Sequence, residues 1–270
     1  MHEFKDTDIE AIVESIRSRP KYQAILPELI RQITLEEMGK RSGVKEVNKA
    51  VRSRLHQIGG AFLNEKINYA ACLKLLRTTG GISDPIFQQI SLRIMRLHAS
   101  TAERIPILPD FYKRCLGHIS PVRSVLDLAC GLNPLAIPWM PLTNDATYHA
   151  CDIFMDMLDF LNAFFSISHI NGYASGCNLT ASTPTDPVQV AFLLKTLPLL
   201  EQTDKSIGKR IIDQIQAEHI LITFPLKSLG GREKGMFQTY QQRFSELIDG
   251  SGYAVRSFEF SSELAYLVSK

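Results

Sequence analysis

Apolar residues recur at three- and four-residue intervals through the first hundred positions, which is the spacing of helices that bury one face. The segment IEAIVESIRS has apolar residues at positions 9, 12, 13 and 16, and Pro20 ends it. The same spacing returns in LPELIRQITLEEMGK, in VKEVNKAVRSRLHQIGGAF and, after Gly80, Gly81 and Pro85, in PIFQQISLRIMRLHAS. Alternating runs of β-branched residues are absent from this part of the chain. We therefore predict that it is helical.

After Pro121 the pattern changes to short apolar runs separated by amphipathic segments. The predicted strands are VRSVLDL, TYHACDI, VQVAFLLK and HILITFP, with helices at MDMLDFLNAFFSISHI, around Ile207–Ala217 and at Met236–Ile248. Strands that alternate with helices indicate an α/β fold with a parallel sheet. The last two runs, YAVRSFEF and ELAYLVS, predict an antiparallel hairpin at one edge. We place a helical domain at residues 1–104 and an α/β domain at residues 105–270.

Composition excludes several classes of protein. The chain has 270 residues, of which 45% are hydrophobic and 21% are charged, as in ordinary globular proteins. No apolar run approaches the roughly 18 residues that cross a bilayer, and the acidic, amphipathic N-terminus is unlike a secretory signal. The five cysteines are scattered without a CxxC pair, so we expect no disulfide framework and no metal site. These features fit a monomer in the reducing cytoplasm.

Charge is distributed unevenly along the chain. Residues 1–120 carry 19 lysines and arginines against 13 acidic residues, whereas residues 121–270 carry 11 against 15. Lys45, Lys49, Arg52 and His56 share one predicted helix face. A basic first half indicates that it docks on a polyanion while the second half performs chemistry. A solvated helical surface explains the same charges equally well.

Polar residues follow consecutive predicted strands, where ligands of open parallel sheets bind. Asp127 and Gly131 follow the first strand, and Asp152 ends the second, where an acid can accept hydrogen bonds from ribose hydroxyls. Asn178 and Leu179 follow a further short strand, which is the third in order, and Leu194 and Lys195 end the fourth, VQVAFLLK. A single such residue is weak evidence, but the ordered set indicates a nucleotide-like cofactor.

The loop DLACGLNPLAIPWM discriminates between cofactors. A pyrophosphate requires bare backbone, which is why dinucleotide loops carry two or three glycines and lead into a helix N-terminus. This loop has one glycine, Gly131, followed by Leu132, Asn133 and Pro134. S-adenosylmethionine (SAM) has no phosphate and fits such a loop, and the terminal hairpin matches a Rossmann-like SAM-dependent methyltransferase sheet. SAM is therefore favoured over NAD.

Two further segments carry candidate chemistry, each with a simpler alternative. In HASTAER, Arg104 could hold the carboxylate of SAM with two parallel hydrogen bonds, although Ser100 or Thr101 with Glu103 could merely form a capping box. In TFPLKSLGGREKGM, the cations Lys227, Arg232 and Lys234 suit phosphates or an unstacked base beside the cofactor. The alternative there is an exposed charged loop.

With these residues identified, the chain resembles the aminoglycoside-resistance 16S rRNA methyltransferases that modify N7 of guanine 1405. The shared motifs are RLHQIGGAF, LHASTAER, DLACGLNPLA, the acid of CDI, LLKTLPLLE, TFPLKSLGGREKGM and ELAYLV, with a weaker match at KYQAILPELIRQI. They occur in one order along nearly the whole chain. The resemblance implies a Rossmann-like SAM-dependent methyltransferase domain and an N-terminal helical domain that docks on the 30S subunit.

The resemblance also implies roles for individual residues around the cofactor. Arg104 would hold its carboxylate, Ala129 and Gly131 would approach its methionine part, and Asp152 would bind its ribose. The other residues carried over to the cofactor site are Phe62, His98, Ala99, Ser100, Asn178, Leu179, Leu194 and Thr203. Two positions depart from the family: similar members often have Asp where Asn178 stands, and the Gln or Glu expected at Thr203 is displaced to Gln202. We expect Asn178 to hydrogen-bond the amino group of adenine.

The basic residues supply the candidate rRNA contacts of such an enzyme. The helical domain would use Arg17, Lys21, Lys49 and Arg52 for docking, and the rRNA would be positioned by Lys195, Lys227, Arg232 and Lys234. Guanine N7 carries a lone pair and no proton, so no general base is needed to expose it. We therefore expect no catalytic acid, base or nucleophile.

Two other functions remain compatible with the sequence. A small-molecule methyltransferase would use the same cofactor, but it leaves the basic helical domain unexplained. A non-enzymatic RNA-binding or assembly protein would carry a vestigial cofactor pocket, which the presence of Arg104, Gly131 and Asp152 argues against.

Overall fold

The computed structural model describes residues 5–59, 67–202, 204–226 and 236–270. Before the first strand these ranges contain the helices α1 (Asp6–Arg17), α2 (Pro27–Met38), α3 (Val44–Gly59), α4 (Tyr69–Leu76), α5 (Pro85–Met95), α6 (Ala99–Arg104) and α7 (Leu108–Leu116). A 3₁₀ turn at Ile105–Ile107 joins the last two. The prediction of a helical first part is confirmed. In the described part of the chain, no helix is long and apolar enough to span a bilayer.

Helices α1 to α3 form a bundle with its own hydrophobic core. The apolar positions of α1 that the sequence pattern identified, from Ile9 to Ile16, are all buried. They pack with Ile30 and Ile33 of α2 and with Val47, Val51 and Leu55 of α3. Each helix repeats its apolar residues at three- and four-residue spacing, so one face of each meets the others.

The remaining N-terminal helices belong to the core of the sheet. Phe87 of α5 and Phe111 of α7 lie in the same hydrophobic cluster as Phe164 and Val125, which belong to the α/β part. The rings of Phe87 and Phe164 stack with their centroids 5.9 Å apart. The hydrophobic cores of the described residues therefore divide between α3 and α4, whereas the predicted domain boundary lies at residue 104. Helical periodicity could not reveal this, because it shows that a face is buried but not against what.

The α/β part is built on seven strands in the order β3-β2-β1-β4-β5-β7-β6. The strands are β1 (Val122–Leu128), β2 (Leu142–Asp152), β3 (Gly172–Gly176), β4 (Val188–Leu194), β5 (Ala217–Pro225), β6 (Ala254–Glu259) and β7 (Glu263–Ser269). Strands β1 to β5 pair in parallel, whereas β7 runs antiparallel to both β5 and β6. The predicted parallel sheet with a terminal hairpin at its edge is confirmed.

Helices cover both faces of this sheet. The later helices are α8 (Met155–Ile167), α9 (Leu197–Leu200), α10 (Ile207–Gln214) and α11 (Met236–Ile248). Adjacent residues of β1 point to opposite faces: Val125 belongs to the cluster with α4, α5, α7 and α8, and Leu126 to the cluster with α10 and α11. Because both faces are buried, the strands read as continuous apolar runs.

The three-helix bundle is attached at the end of β2. The amide of Leu26 donates to the carbonyl of Ile153 at 2.8 Å, and the amide of Met155 donates to the carbonyl of Ala24 at 2.7 Å. These bonds form an isolated antiparallel bridge between the bundle and the segment that follows Asp152. The bundle therefore lies beside the carboxyl ends of the strands.

Candidate functional site

A cavity of about 350 Å³ lies at the carboxyl ends of the parallel strands. It brings together residues that are far apart in the sequence but were all predicted to contact a cofactor. The predicted residues that line it are His98, Ser100, Arg104, Ala129, Gly131, Asp152, Asn178, Leu179 and Leu194. Gln202, the displaced family residue, lines it as well. The geometry therefore gathers the four strand ends into one site.

Ala99, Phe62 and Thr203 are the remaining residues predicted to contact the cofactor. Ala99 is the first residue of α6 and is absent from the cavity lining. Phe62 and Thr203 lie outside the described residues.

Gly131 and Asp152 are joined directly. The amide of Gly131 donates to Oδ2 of Asp152 at 2.9 Å, and the amide of Ile153 donates to Oδ1 at 2.7 Å. Burial raises the pKa of Asp152, although these amide donors act in the opposite direction. Each carboxylate oxygen keeps further acceptor capacity, so hydroxyls of a bound ribose can be recognised beside the glycine.

The loop after β1 needs glycine at position 131. Its φ is +52°, a left-handed conformation, and a Cβ there would lie 2.9 Å from Cε1 of His98. Ala129, two residues earlier, also has a positive φ of +51°. The loop then continues into a 3₁₀ helix at Asn133–Trp139 rather than an α-helix. The close approach of His98 therefore requires glycine at this point of the loop.

Arg104 is held by an internal carboxylate. Its Nε and Nη2 donate to the two oxygens of Glu263, each at 2.9 Å, and both side chains are almost fully buried. Burial disfavours the charged form of Glu263, but Arg104 and Lys195 outweigh it and lower its pKa. Arg104 thus makes its two-pronged pair with a carboxylate of β7, and the predicted contact with the SAM carboxylate stays a prediction. Glu263 was missed; its signal is an acid at the start of an otherwise apolar strand.

Asn133 connects this ion pair to the loop after β1. Its Oδ1 accepts from Nη1 of Arg104 at 2.9 Å and from the hydroxyl of Tyr112 at 2.5 Å, while its Nδ2 donates to Asp127 at 2.9 Å. Tyr148 also donates to the same oxygen of Asp127 at 2.6 Å. Burial raises the pKa of Asp127 to about 7, with these hydrogen bonds opposing it. Asn133 therefore fixes the loop after β1 to α6, α7 and β1 through its side-chain hydrogen bonds.

Lys195 is also committed to internal partners. Its Nζ lies 2.7 Å from Glu103 and 3.3 Å from Glu263, and it donates to the carbonyl of Ser100 at 3.1 Å. Its side chain is 8% exposed, and its backbone has a φ of +60°. Lys195 is thus ion-paired within the protein while it lines the cavity, and its role in positioning rRNA stays a prediction. The pattern of a cation at a strand end did not reveal that two acids surround it.

The segment HASTAER does not form the capping box offered as an alternative. His98 is the N-cap of α6 and makes no side-chain cap bond there. The hydroxyl of Thr101 donates backwards to the carbonyl of Met95 at 2.6 Å, and Glu103 pairs with Lys195. The Thr101 hydroxyl also donates to the carbonyl of His98 at 3.0 Å, so Thr101 joins the helix start to the turn before it, whereas Glu103 stabilises the cavity wall.

The predicted docking cations lie on the bundle. Arg17, Lys21 and Lys49 are exposed, and Arg52 is half-buried with its Nε donating to the carbonyl of Asn48 at 3.2 Å. Nζ of Lys21 lies 3.3 Å from Nδ1 of His56, which links the turn after α1 to the basic face of α3. The predicted RNA contacts Lys227, Arg232 and Lys234 lie outside the described residues.

The sheet with its reversed β7, together with a strand-end cavity that pairs one glycine with an acid, defines a Rossmann-like SAM-dependent methyltransferase. Comparison with known proteins agrees. The family model for ribosomal RNA methyltransferases (FmrO) matches residues 17–267, and the chain belongs to this family.

Relatives with named activities match along the whole chain. The 16S rRNA (guanine(1405)-N(7))-methyltransferase of Micromonospora rosea is 35% identical over 268 residues, covering 98% of each protein. The protein of the same name from Micromonospora echinospora is 35% identical over 265 residues and covers 97% of each. Among solved structures, the 16S rRNA methyltransferase RmtF in complex with S-adenosyl-L-homocysteine superposes with a TM-score of 0.83 at 28% identity, covering 99% of this chain and all of that one.

The buried ion pair generates a stability prediction. Glu263→Gln removes the charge that compensates Arg104 and Lys195, and breaking a buried pair in this way costs about 3–5 kcal/mol. We expect a correspondingly lower free energy of unfolding in urea. Glu259→Gln, on the exposed edge strand, is the matched control and should change stability by less than about 0.5 kcal/mol. Equal stability of the two variants would show that the ion pair contributes nothing.

His98 generates a prediction about pH. Burial, followed by the nearby charges of Lys195 and Arg104, lowers the pKa of His98 to about 4. As pH falls from 6.5 towards 4, the unfolded chain gains a proton that the folded protein does not, so stability falls through this window by up to about 3 kcal/mol. The variant His98→Asn lacks this contribution. We expect the stability of the wild type relative to the variant to decline between pH 7.5 and pH 4; parallel curves would contradict it.

Proposed function

We propose that the protein transfers a methyl group from SAM to N7 of guanine 1405 in 16S rRNA within the 30S subunit, and so confers aminoglycoside resistance. The observation that carries this proposal is the similarity along the whole chain to enzymes named for that reaction. The coverage matters because it includes the basic helical bundle, which a small-molecule methyltransferase would not need.

The cavity residues fit SAM better than a dinucleotide. The loop after β1 leads into a 3₁₀ helix containing Pro134 and Pro138, so it offers no long helix N-terminus to a pyrophosphate. Gly131 permits close backbone approach, and Asp152 offers acceptors for ribose. Leu179 and Leu194 supply apolar surface for an adenine ring. When bound, SAM supplies a methyl group activated by its sulfonium.

The side chains of this site act by positioning and by excluding water. N7 of guanine has an in-plane lone pair and no proton, so the protein needs no group to deprotonate it. His98 is neutral at pH 7 because its pKa is about 4, so it adds no positive charge beside a sulfonium. Apolar side chains of the cavity lining exclude water from the reacting atoms. They belong to Pro198, Leu199, Pro225, Met236 and Tyr240. We assign no catalytic acid, base or nucleophile.

The bundle is the proposed docking surface for the 30S subunit. The segment from Arg17 to Arg54 contains ten basic residues and only four acidic ones, and this excess of positive charge suits binding to rRNA phosphates. Lys227, Arg232 and Lys234 would contact rRNA near the cavity. We further propose that the protein acts as a monomer in the cytoplasm, where ribosomes are found.

Methyl transfer is tested directly with labelled SAM and purified 30S subunits. We expect incorporation at guanine 1405, mapped by primer extension after chemical cleavage, and a strong loss with Gly131→Ala, which forces a Cβ against His98. Transfer to another nucleotide, or transfer to small molecules without 30S subunits, would overturn the proposal. Failure of the wild type to bind S-adenosylhomocysteine would indicate a vestigial pocket.

Docking is tested by reversing Arg17, Lys21, Lys49 and Arg52 to Glu. Because each lost phosphate contact lowers the salt dependence by about 0.7 to 0.9 in log–log slope, 30S binding should weaken and become less salt-sensitive. Calorimetry should find the affinity for S-adenosylhomocysteine unchanged.

The matched control for docking makes the same change in net charge at four exposed cations outside the bundle: Lys113, Arg123, Lys205 and Arg256. Equal losses of 30S binding in the two quadruple variants would assign the effect to overall charge and reject the bundle as the docking face.

A further inference from the structure

Asn178 lies in the cavity wall with both ends of its amide engaged. Its Oδ1 accepts from the backbone amide of Thr180 at 3.1 Å and from the hydroxyl of Thr180 at 2.6 Å. Its Nδ2 donates to Oε1 of Gln32 at 2.5 Å. Gln32 belongs to α2 of the bundle, 146 residues away in sequence. A residue of the bundle thus contacts the part of the cavity expected to hold adenine.

The direction of these hydrogen bonds is fixed at both ends. Nε2 of Gln32 donates to Oε1 of Glu36 at 2.8 Å, and Arg54 of α3 donates to the other oxygen of Glu36. A guanidinium only donates and an ionised carboxylate only accepts, so the amino group of Gln32 must face Glu36. Its oxygen must then face Asn178. At the other end, the backbone amide of Thr180 is a donor and requires the oxygen of Asn178.

Glu36 retains the charge that this direction requires. Burial alone would favour its neutral form, but hydrogen bonds from Arg54 and Gln32 outweigh burial and lower the pKa of Glu36. It is therefore ionised at neutral pH and offers Gln32 only acceptors.

The consequence concerns what Asn178 can offer a ligand. Both acceptor positions of Oδ1 are occupied by Thr180, whereas Nδ2 carries a second hydrogen besides the one directed at Gln32. A donor recognises a ring nitrogen of adenine. It does not recognise the exocyclic amino group, which is itself a donor. This corrects the expectation, based on sequence, that Asn178 accepts from the amino group.

We propose that Gln32 and Glu36 are positioning residues for the cofactor: they fix the amide of Asn178 so that it presents a donor to a ring nitrogen of the adenine. The inference rests on the proposed function, which places SAM in this cavity. It makes α2 part of the cofactor site as well as of the docking bundle.

Reversing the direction of the bonds tests the proposal. In Asn178→Asp, a carboxylate oxygen meets the oxygen of Gln32, which Glu36 prevents from turning. In Glu36→Gln, the new amide must keep its oxygen towards Arg54, so its amino group meets that of Gln32. We expect each single variant to bind S-adenosylhomocysteine about tenfold more weakly by calorimetry, because it leaves two like polar groups in contact without a hydrogen bond.

The double variant should recover most of the lost affinity. With Glu36→Gln and Asn178→Asp together, Gln32 can turn, accept from the new amide and donate to the new carboxylate. The matched control is Glu28→Gln, which makes the same charge change at an exposed position of α2. Combined with Asn178→Asp, it should restore nothing. A merely structural role of Glu36 would make the two losses add.

A modified ligand tests the donor directly. The analogue of S-adenosylhomocysteine that has purine in place of adenine lacks the amino group but keeps the ring nitrogens. The wild type should lose less affinity for it than the double variant does, because the carboxylate introduced by Asn178→Asp would accept from the amino group.

Each outcome decides between the alternatives. Additive losses, or equal effects of the analogue on both proteins, would overturn the inference while leaving the proposed function intact. No binding of S-adenosylhomocysteine to the wild type would overturn the proposed function itself. If a single variant fails to give a cooperative thermal transition, Gln32→Leu replaces it: tenfold weaker binding at unchanged melting temperature supports the proposal, and unchanged binding rejects it.

Discussion

The buried ion pair between Arg104 and Glu263 is the interaction on which the site depends. It joins α6, from the helical first part, to the strand that enters the sheet in reverse, and through Asn133 it also holds the loop after β1. Lys195, after β4, lies within 3.3 Å of the same carboxylate. Two buried cations and one acid are stable only where each finds its partner, so the pair fixes three strand ends relative to one another. The loop after β1 can then be short, because the hydrogen bond between Asn133 and Arg104 sets its position.

The bundle has a second role that follows from its attachment. Two backbone hydrogen bonds fix it to the segment after Asp152, and Leu29 and Ile58 place its apolar surface in the cavity wall. The bundle also contributes hydrogen bonds to the cavity wall, because the contacts that begin at Arg54 pass through Glu36 and Gln32 to Asn178. A surface proposed to dock on the ribosome thus shares helices with the proposed cofactor site. Any shift of α2 on docking would move residues at the adenine end of the cavity, which provides a physical route for coupling between binding of the 30S subunit and binding of SAM.

The sequence predicted most of the fold because local periodicity carries it. Helical spacing in α1 to α3, β-strand runs from β1 to β7 and the terminal hairpin all follow from residues within a few positions of one another. It also placed Gly131 and Asp152 correctly in one cavity, since the carboxyl ends of parallel strands must meet at one edge. The sequence did not show that α4, α5 and α7 pack on the sheet, because their apolar faces are like those of the bundle. Amphipathicity does not state which partner a face will meet.

What the sequence by itself determined was the set of elements, the strand ends that face the site and the family to which the chain belongs. What only the tertiary structure decided was the pairing of the polar groups. Arg104 pairs with a carboxylate 159 residues away. Lys195 forms ion pairs with two acids. The amide of Asn178 is oriented by Gln32 of α2, which lies 146 residues earlier in the sequence. Such pairings depend on how the helices pack across the strand ends, because a buried donor must be satisfied by whichever acceptor the packing brings within reach.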